Sequence, residues 1–188
     1  MQVLQLNFIK AFRELLPKLM GEALQIVMVV TILGFLLALF IGLLLAIGRY
    51  TKLNQIIILF LELIRGTPLL VQLVYVYYVV PLLIGIIGSL ITGTEYKMVM
   101  SATTAGMIGL AINYGAYLSE VFRSSIIAID SGQTEAALAL GFSGQQAMLR
   151  IVLPQAFRNS IPVFGNYLVM IVKDTSLILI WFLNRLLF

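Results

Sequence analysis

The stretch from residue 23 to residue 48 carries no charged side chain, and it restricts the fold more than any other feature of the chain. It is longer than the roughly 20 residues that an α-helix needs to cross the hydrocarbon core of a bilayer. Because lipid offers no hydrogen bonds to the backbone, such a segment is predicted to be a helix. Small side chains recur at every fourth position, where a second helix can pack closely: Gly34, Ala38, Gly42 and Ala46.

The composition extends this prediction to the whole chain. Of its 188 residues 61% are hydrophobic and 11% are charged, whereas soluble domains carry about 25% charged residues. We therefore expect an all-α integral membrane protein, with residues 1–188 forming one transmembrane domain. The absence of cysteine and histidine excludes disulfides, thiol or imidazole catalysis and most zinc, haem and copper sites. The scattered carboxylates predict no metal site, catalytic residue or cofactor, and no basic run indicates nucleic-acid binding.

Four transmembrane helices are predicted, at about residues 19–47, 53–91, 98–127 and 161–183. A short glycine-rich loop at residues 85–97 is expected to lead from the second helix to the third. The first twenty residues mix basic and apolar side chains and are typical of an amphipathic helix in the membrane interface. Lysine and arginine residues are almost evenly divided between the two sides, so they do not decide the orientation.

The second predicted span is interrupted by Arg65-Gly66-Thr67-Pro68. Pro68 removes a backbone donor and disfavours helical geometry at Thr67. A broken helix at membrane depth is tolerated only against protein or a water-lined cavity, and charged side chains there usually face such a cavity. This pattern favours a break that lines or gates a pathway. The alternative is that Glu62 and Arg65, three residues apart, simply neutralise each other near the interface.

Polar side chains also occur in the third and fourth spans. Asn113, Tyr117 and Glu120 share one helix face, which predicts either the wall of a cavity or a contact between helices. Small residues dominate the first half of the third span and predict a centrally packed helix. In the fourth span, the adjacent Lys173 and Asp174 indicate either a buried pair or an approach to water.

The longest polar segment, at about residues 130–162, is predicted to be a rigid set of short helices. Asp130 or the serine after it can cap a first, alanine-rich helix, and Gly141 suits the left-handed position that ends it. Ser143 and Gln146 have the spacing of a capping box, which opens a second helix. A proline in the first turn predicts a third helix at residues 155–160. Such a loop either docks against a partner or lies on the lipid surface.

A fixed spacing runs through this loop: Glu135-Ala136-Ala137, three residues, Gly141, nine residues, Ile151, one residue, and Leu153-Pro154. This spacing resembles the EAA loop of ATP-binding-cassette (ABC) importer permeases at every defined position. Other segments resemble motifs of the polar amino acid subfamily, which transports substrates such as histidine, glutamate, glutamine, arginine or opines: residues 65–72, 113–117 with 120–123, 154–158 and 173–177.

The resemblance implies an ABC type I importer-like permease fold with a cytoplasmic coupling-helix loop and no chemistry of its own. Two permease subunits, identical or different, would form the pathway. Separate ABC ATPase subunits would bind ATP, and an extracytoplasmic amino-acid-binding protein would deliver the substrate. The chain would lie in a bacterial cytoplasmic (inner) membrane, surrounded by lipid, with its N-terminus outside and the loop inside. Family members usually have a fifth span after the segment at 173–177, so the chain is predicted to be C-terminally truncated.

The resemblance also assigns residues to two sites. The ATPase-subunit interface would include Glu135, Ala136, Ala137, Gly141, Phe142, Ile151, Leu153 and Pro154. The substrate pathway, with a slight preference for basic or amide amino acids, would include Glu62, Arg65, Gly66, Thr67, Pro68, Gln72, Asn113, Tyr117, Glu120 and Asp174. Two alternatives stay open: a secondary transporter or channel, which leaves the loop unexplained, and a truncated membrane subunit that does not transport.

Overall fold

A computed structural model describes residues 2–187, with side chains described at positions 13, 17, 20, 21, 23–176 and 178. Eight α-helices follow one another within residues 2–187: α1 Gln2–Gly48, α2 Asn54–Gly66, α3 Leu69–Val74, α4 Val80–Thr92, α5 Ala102–Ile127, α6 Ser131–Ala139, α7 Gly144–Ala147 and α8 Leu153–Leu187. Single π-helical turns, Tyr75–Val79 and Met148–Val152, join α3 to α4 and α7 to α8. This part of the chain contains no strand, and the predicted all-α class is confirmed.

Two segments within residues 2–187 are long and apolar enough to cross a membrane: Ala23–Gly48 and Leu69–Thr92. The first belongs to α1, a 47-residue helix that continues without a break from the N-terminal segment. The position of that segment in the membrane interface stays a prediction. At about 1.5 Å per residue, the 26 residues of α5 are also long enough to span a bilayer. That α5 and α8 cross the membrane likewise stays a prediction.

Helix α5 lies at the centre of the fold because its glycines admit three neighbouring helices. A Cβ atom on Gly115 would lie 2.8 Å from the side chain of Ile41 in α1. One on Gly109 would lie 2.7 Å from Leu73 in α3, and one on Gly106 would overlap α8. The predicted central position of this helix is thus confirmed, and glycine is the residue that makes each approach possible.

The small-residue face predicted for α1 is also confirmed. Gly34, Ala38, Gly42 and Ala46 are all buried, and this face packs against α5. Larger side chains from α1, α5 and α8 complete the core around it: Val30, Leu110, Tyr114, Leu118, Phe164, Ile171 and Ile178.

The loop predicted at residues 85–97 begins later, because α4 remains helical to Thr92. The glycines inside α4 are packing positions, since a Cβ atom on Gly88 would lie 2.7 Å from the ring of Tyr96. The chain turns at Gly93, whose φ of 69° favours glycine. Helix α5 then starts at Ala102 instead of residue 98, because the Ser101 hydroxyl accepts a hydrogen bond from the Thr104 amide and caps it.

The separate third helix predicted at residues 155–160 is wrong, because helical structure is continuous from Gly144 to Leu187. In an α-helix the ring of Pro154 would clash with the carbonyl of Arg150. The π-helical turn Met148–Val152 contains that carbonyl and widens the helix just before the proline, with the Leu153 amide bonded to the Met148 carbonyl. The helix therefore passes the proline without ending.

We expect Gly42→Ala to destabilise the fold while Gly34→Ala does not. A methyl group at position 42 would lie 2.9 Å from the Leu118 Cβ atom and 3.0 Å from the Gly115 carbonyl oxygen, and neither can move freely. At position 34 the nearest atom is 3.8 Å away. Overpacking of this kind costs about 1–3 kcal/mol. Denaturant unfolding in detergent micelles, followed by circular dichroism, measures the difference, and equal stability of the two variants would contradict the packing described.

Candidate functional site

The chain between α2 and α3 is extended at Thr67, where φ is −106° and ψ is 139°. This conformation follows from Pro68, whose ring disfavours helical geometry in the preceding residue. Helical hydrogen bonding stops there, so carbonyl groups at the end of α2 lose their usual partners. The break predicted from the sequence is confirmed, and it needs other donors in its place.

The side chains of Gln72 and Thr67 supply donors at the break. The Gln72 Nε2 atom lies 2.6 Å from the Ile64 carbonyl oxygen and 3.0 Å from that of Thr67. The Gln72 Oε1 atom accepts a hydrogen bond of 3.1 Å from Asn113 in α5. The Thr67 hydroxyl donates to the Leu63 carbonyl at 3.0 Å. Hydrogen bonds within the segment therefore stabilise the break, and the bond between Gln72 and Asn113 connects it to the central helix α5.

A cavity of about 440 Å³ lies beside the break, between α5 and α8. Its wall combines backbone at the break with polar and aromatic side chains of the two helices: Arg65, Gly66, Thr67, Pro68, Leu69, Asn113, Tyr114, Tyr117, Tyr167, Met170 and Asp174. The volume falls within the roughly 300–1,000 Å³ of small-molecule sites.

Opposite charges line this cavity on different elements. Arg65 enters from the end of α2, where its Nε atom donates to the Leu61 carbonyl at 3.3 Å. The half-buried Asp174 enters from α8 and accepts a hydrogen bond from the Tyr114 hydroxyl of α5. Tyr167 lies between the other two tyrosine rings, with its centroid 6.0 Å from that of Tyr114. The cavity can therefore offer a cation, an anion and hydroxyl groups to one small polar molecule.

The structure brings seven of the ten predicted pathway residues to this cavity: Arg65, Gly66, Thr67, Pro68, Asn113, Tyr117 and Asp174. Gln72 instead closes the break and touches a neighbouring apolar cavity. Glu62 is exposed and outside the cavity, and among the described side chains it forms no ion pair with Arg65. The neutralising pair weighed for these two residues is therefore wrong.

Glu120 does not reach the cavity, because two arginines hold it at the end of α5. Its carboxylate lies 2.6 Å from Arg49 of α1 and 3.1 Å from Arg123 of the next turn. Of the two interpretations of the polar face on α5, both apply in part: Asn113 and Tyr117 line the cavity, and Glu120 joins two helices. Asp174 faces the cavity, and the adjacent Lys173 is exposed.

Tyr114, Tyr167 and Met170 line the cavity but were not among the predicted pathway residues. Helical spacing could have found two of them, since Tyr167 and Met170 lie seven and four residues before Asp174 on the same face of α8. Tyr114 was missed because it directly follows Asn113, and adjacent helical residues point in different directions. The cavity contacts both because it wraps around part of α5.

The polar loop forms the rigid arrangement that its sequence predicts. Asp130 caps α6, with its Oδ1 atom 2.7 Å from the Gly132 amide. Gly141, at φ 83°, ends α6 in a Schellman motif: its amide bonds to the Leu138 carbonyl and the next amide to that of Ala137. The capping box at the start of α7 is complete: Ser143 Oγ accepts from the Gln146 amide, and the Gln146 side chain accepts from the Ser143 amide.

The predicted interface residues of the loop divide by exposure. Glu135, Ala136, Gly141 and Pro154 are exposed, whereas Phe142, Ile151 and Leu153 are half-buried. Ala137 is only 3% exposed, so it packs inside the loop instead of presenting a surface. Large apolar side chains join the exposed set, although they were not predicted: Leu138, Leu140, Met148 and Leu149. The outer surface of the loop is therefore partly apolar and held in one conformation.

A family model described as "Binding-protein-dependent transport system inner membrane component" matches residues 38–188. The probable amino-acid permease protein YxeN of Bacillus subtilis (strain 168) is 39% identical over 159 residues, which cover 83% of this chain and 66% of YxeN. The L-cystine transport system permease protein TcyB of the same strain is 35% identical over 150 residues, covering 78% of this chain and 58% of TcyB. The chain thus spans less than two thirds of the length of both relatives.

Two solved structures share the fold. The crystal structure of an amino acid ABC transporter with histidines has a TM-score of 0.72 at 31% identity, covering 89% of this chain and 73% of that one. Inward-facing MetNI methionine ABC transporter, in its CY5 native crystal form, has a TM-score of 0.55 at 20% identity, covering 84% of this chain and 69% of that one. The predicted fold class is confirmed.

We expect Gln72→Leu to loosen the break, because the Thr67 carbonyl loses a donor and the Ile64 carbonyl keeps only the longer hydrogen bonds from Thr67. Each lost hydrogen bond contributes about 0.5–1.5 kcal/mol. The chain has no native cysteine, so a single cysteine at Gly66, where a Cβ atom would have no neighbour within 4 Å, can report on the break. Maleimide labelling of that cysteine should accelerate in Gln72→Leu and stay unchanged in Gln145→Leu, an exposed control. Equal labelling rates would show that Gln72 does not hold the break.

Proposed function

This chain belongs to the family of binding-protein-dependent transport system inner membrane components, and from that membership we propose that it is a permease subunit of an ATP-driven importer of polar amino acids. The predicted family resemblance is confirmed by the match. The observation that carries the proposal is the cavity at the helix break, where Arg65 and Asp174 line one space. The names of the relatives, an amino-acid permease and an L-cystine permease, support the same substrate class.

The chemistry of the cavity suits a zwitterion. An α-carboxylate would face the guanidinium of Arg65, and an α-ammonium group would face the carboxylate of Asp174, because charge-assisted hydrogen bonds are the strong ones. The Tyr117 hydroxyl and the Asn113 amide are left for polar groups of the side chain. Desolvated charges are costly in a membrane, so a cation and an anion on one cavity favour a substrate that carries both charges.

We assign the loop at residues 130–162 to coupling with a separate ABC ATPase subunit, which would bind ATP. Support comes from its rigidity and from its mixed surface. Helix α6 has no continuous apolar face, and exposed Glu135 and Leu138 lie three residues apart on the same side. A helix lying on lipid would separate charged from apolar side chains, so this surface suits a protein groove better. In that groove Glu135 would make the polar contact.

The remaining parts of the proposal concern assembly and orientation. A second permease subunit, identical or different, would complete the pathway, and an extracytoplasmic binding protein would deliver the amino acid. The description of the family places its members in the inner membrane. Within it we propose an N-terminus outside and a cytoplasmic loop, as coupling to an intracellular ATPase requires.

We expect Asp174→Asn to lower the rate of ATP-dependent amino acid uptake at saturating substrate about ten-fold or more, because one charge-assisted hydrogen bond of about 1.5–3 kcal/mol to the substrate is lost after the binding protein delivers it. The assay uses membrane vesicles that hold the chain with its ATPase and binding-protein partners. Lys173→Gln is the control, since Lys173 is the adjacent residue, exposed and outside the cavity. An unchanged maximal uptake rate in Asp174→Asn would remove Asp174 from the pathway.

We expect Gly141→Ala to impair coupling while leaving the transmembrane fold intact. An alanine at φ 83° costs about 1–2 kcal/mol, which favours a different end to α6 and displaces the exposed surface. Gly144→Ala is the matched control, because φ there is not positive and no atom lies within 4 Å of the added methyl group. The measurement is substrate-stimulated ATP hydrolysis of the assembled transporter. Identical stimulation in both variants would mean that the loop conformation plays no part in coupling.

A further inference from the structure

An apolar groove lies on the opposite side of Glu120 from the cavity, between α1, α5 and the first turns of α8. Its volume is about 410 Å³, and apolar side chains form almost all of its wall. Along α1 it extends from Leu39 to Ile47, a length of about 12 Å at 1.5 Å per residue. That length is less than half of the roughly 30 Å hydrocarbon thickness of a bilayer, so the groove is short enough to fit within one leaflet.

Positive charge is concentrated at one end of this groove. Arg123 lines it, and Arg123 and Arg49 share a single carboxylate, that of Glu120. Exposed Lys52 follows three residues after Arg49. The Nε atom of Arg49 is buried and has no hydrogen-bond partner among the described side chains. Three cations with one carboxylate leave an excess of positive charge near this end of the groove.

We propose that this groove is a binding site for one anionic phospholipid. An acyl chain lies along the wall formed by Leu43 and Phe122, and the phosphate lies at Arg123, beside the ion pair of Arg49 with Glu120. Basic pockets between membrane helices attract acidic headgroups in this way. A zwitterionic headgroup gains less binding free energy at this site, since its own ammonium group is repelled by the arginines.

The test uses the full-length chain in phosphatidylcholine vesicles that contain a trace of spin-labelled phosphatidylglycerol or spin-labelled phosphatidylcholine. Electron paramagnetic resonance measures the motionally restricted fraction of each lipid. We expect phosphatidylglycerol to be selected, and Arg123→Gln to lower that selectivity about five-fold, since one basic residue near a membrane surface contributes about 1 kcal/mol. Lys97→Gln, at the opposite end of α5 and paired with Glu95, is expected to leave it unchanged.

A second pair of variants tests the groove without altering charge. Leu43 lines it, whereas Leu44 is exposed at the same depth on a different face of α1. Leu43→Trp should therefore displace one restricted phosphatidylglycerol per chain, and Leu44→Trp should not. Equal restriction of both lipids by the unmodified chain, or equal effects of the two tryptophan variants, would overturn the proposal. So would a change in oligomeric state with Leu43→Trp at unchanged lipid selectivity, because a second copy would then occupy the groove.

Discussion

The structure depends on how the chain satisfies the backbone hydrogen bonds at the point where a membrane helix breaks. Lipid supplies no hydrogen bonds, so the carbonyl groups released before Pro68 need donors from the protein. Thr67 and Gln72 provide them, and the side-chain oxygen of Gln72 accepts a hydrogen bond from Asn113 at the centre of the fold. These hydrogen bonds stabilise the extended segment beside the cavity. Pro68 creates the break, and hydrogen bonds from Gln72 stabilise it.

The same central helix makes the break possible by admitting its neighbours closely. Glycines at three levels of α5 place α1, α3 and α8 against its backbone. Polar side chains of α5 can therefore contact polar groups of these neighbouring elements. Asn113 reaches the break, Tyr114 reaches Asp174, and Glu120 reaches Arg49. One face of the bundle therefore becomes polar and enclosed while the outside stays apolar, which is the arrangement that a polar solute needs to enter a membrane.

Much of this could be predicted from the sequence where one residue dictates local geometry. Pro68 predicts the break, Gly141 the left-handed end of α6, and the four-residue spacing of small side chains the packed face of α1. Contacts made across space could not be predicted. The sequence alone indicates a pathway role for Glu120, whereas its partner Arg49 lies 71 positions away in the chain. Likewise, Gly88 predicts a loop when the sequence is considered alone. In the structure it is a helical residue that gives space to the ring of Tyr96, eight positions later in the chain.

The proposed function makes this polar cavity part of an importer driven by ATP. The most direct test reconstitutes the chain with its ATPase and binding-protein partners in vesicles and follows accumulation of a labelled polar amino acid. We expect accumulation that requires hydrolysable ATP and persists when a protonophore dissipates the ion gradient. Accumulation that is indifferent to ATP but abolished by the protonophore would contradict it, because the chain would then be a secondary transporter.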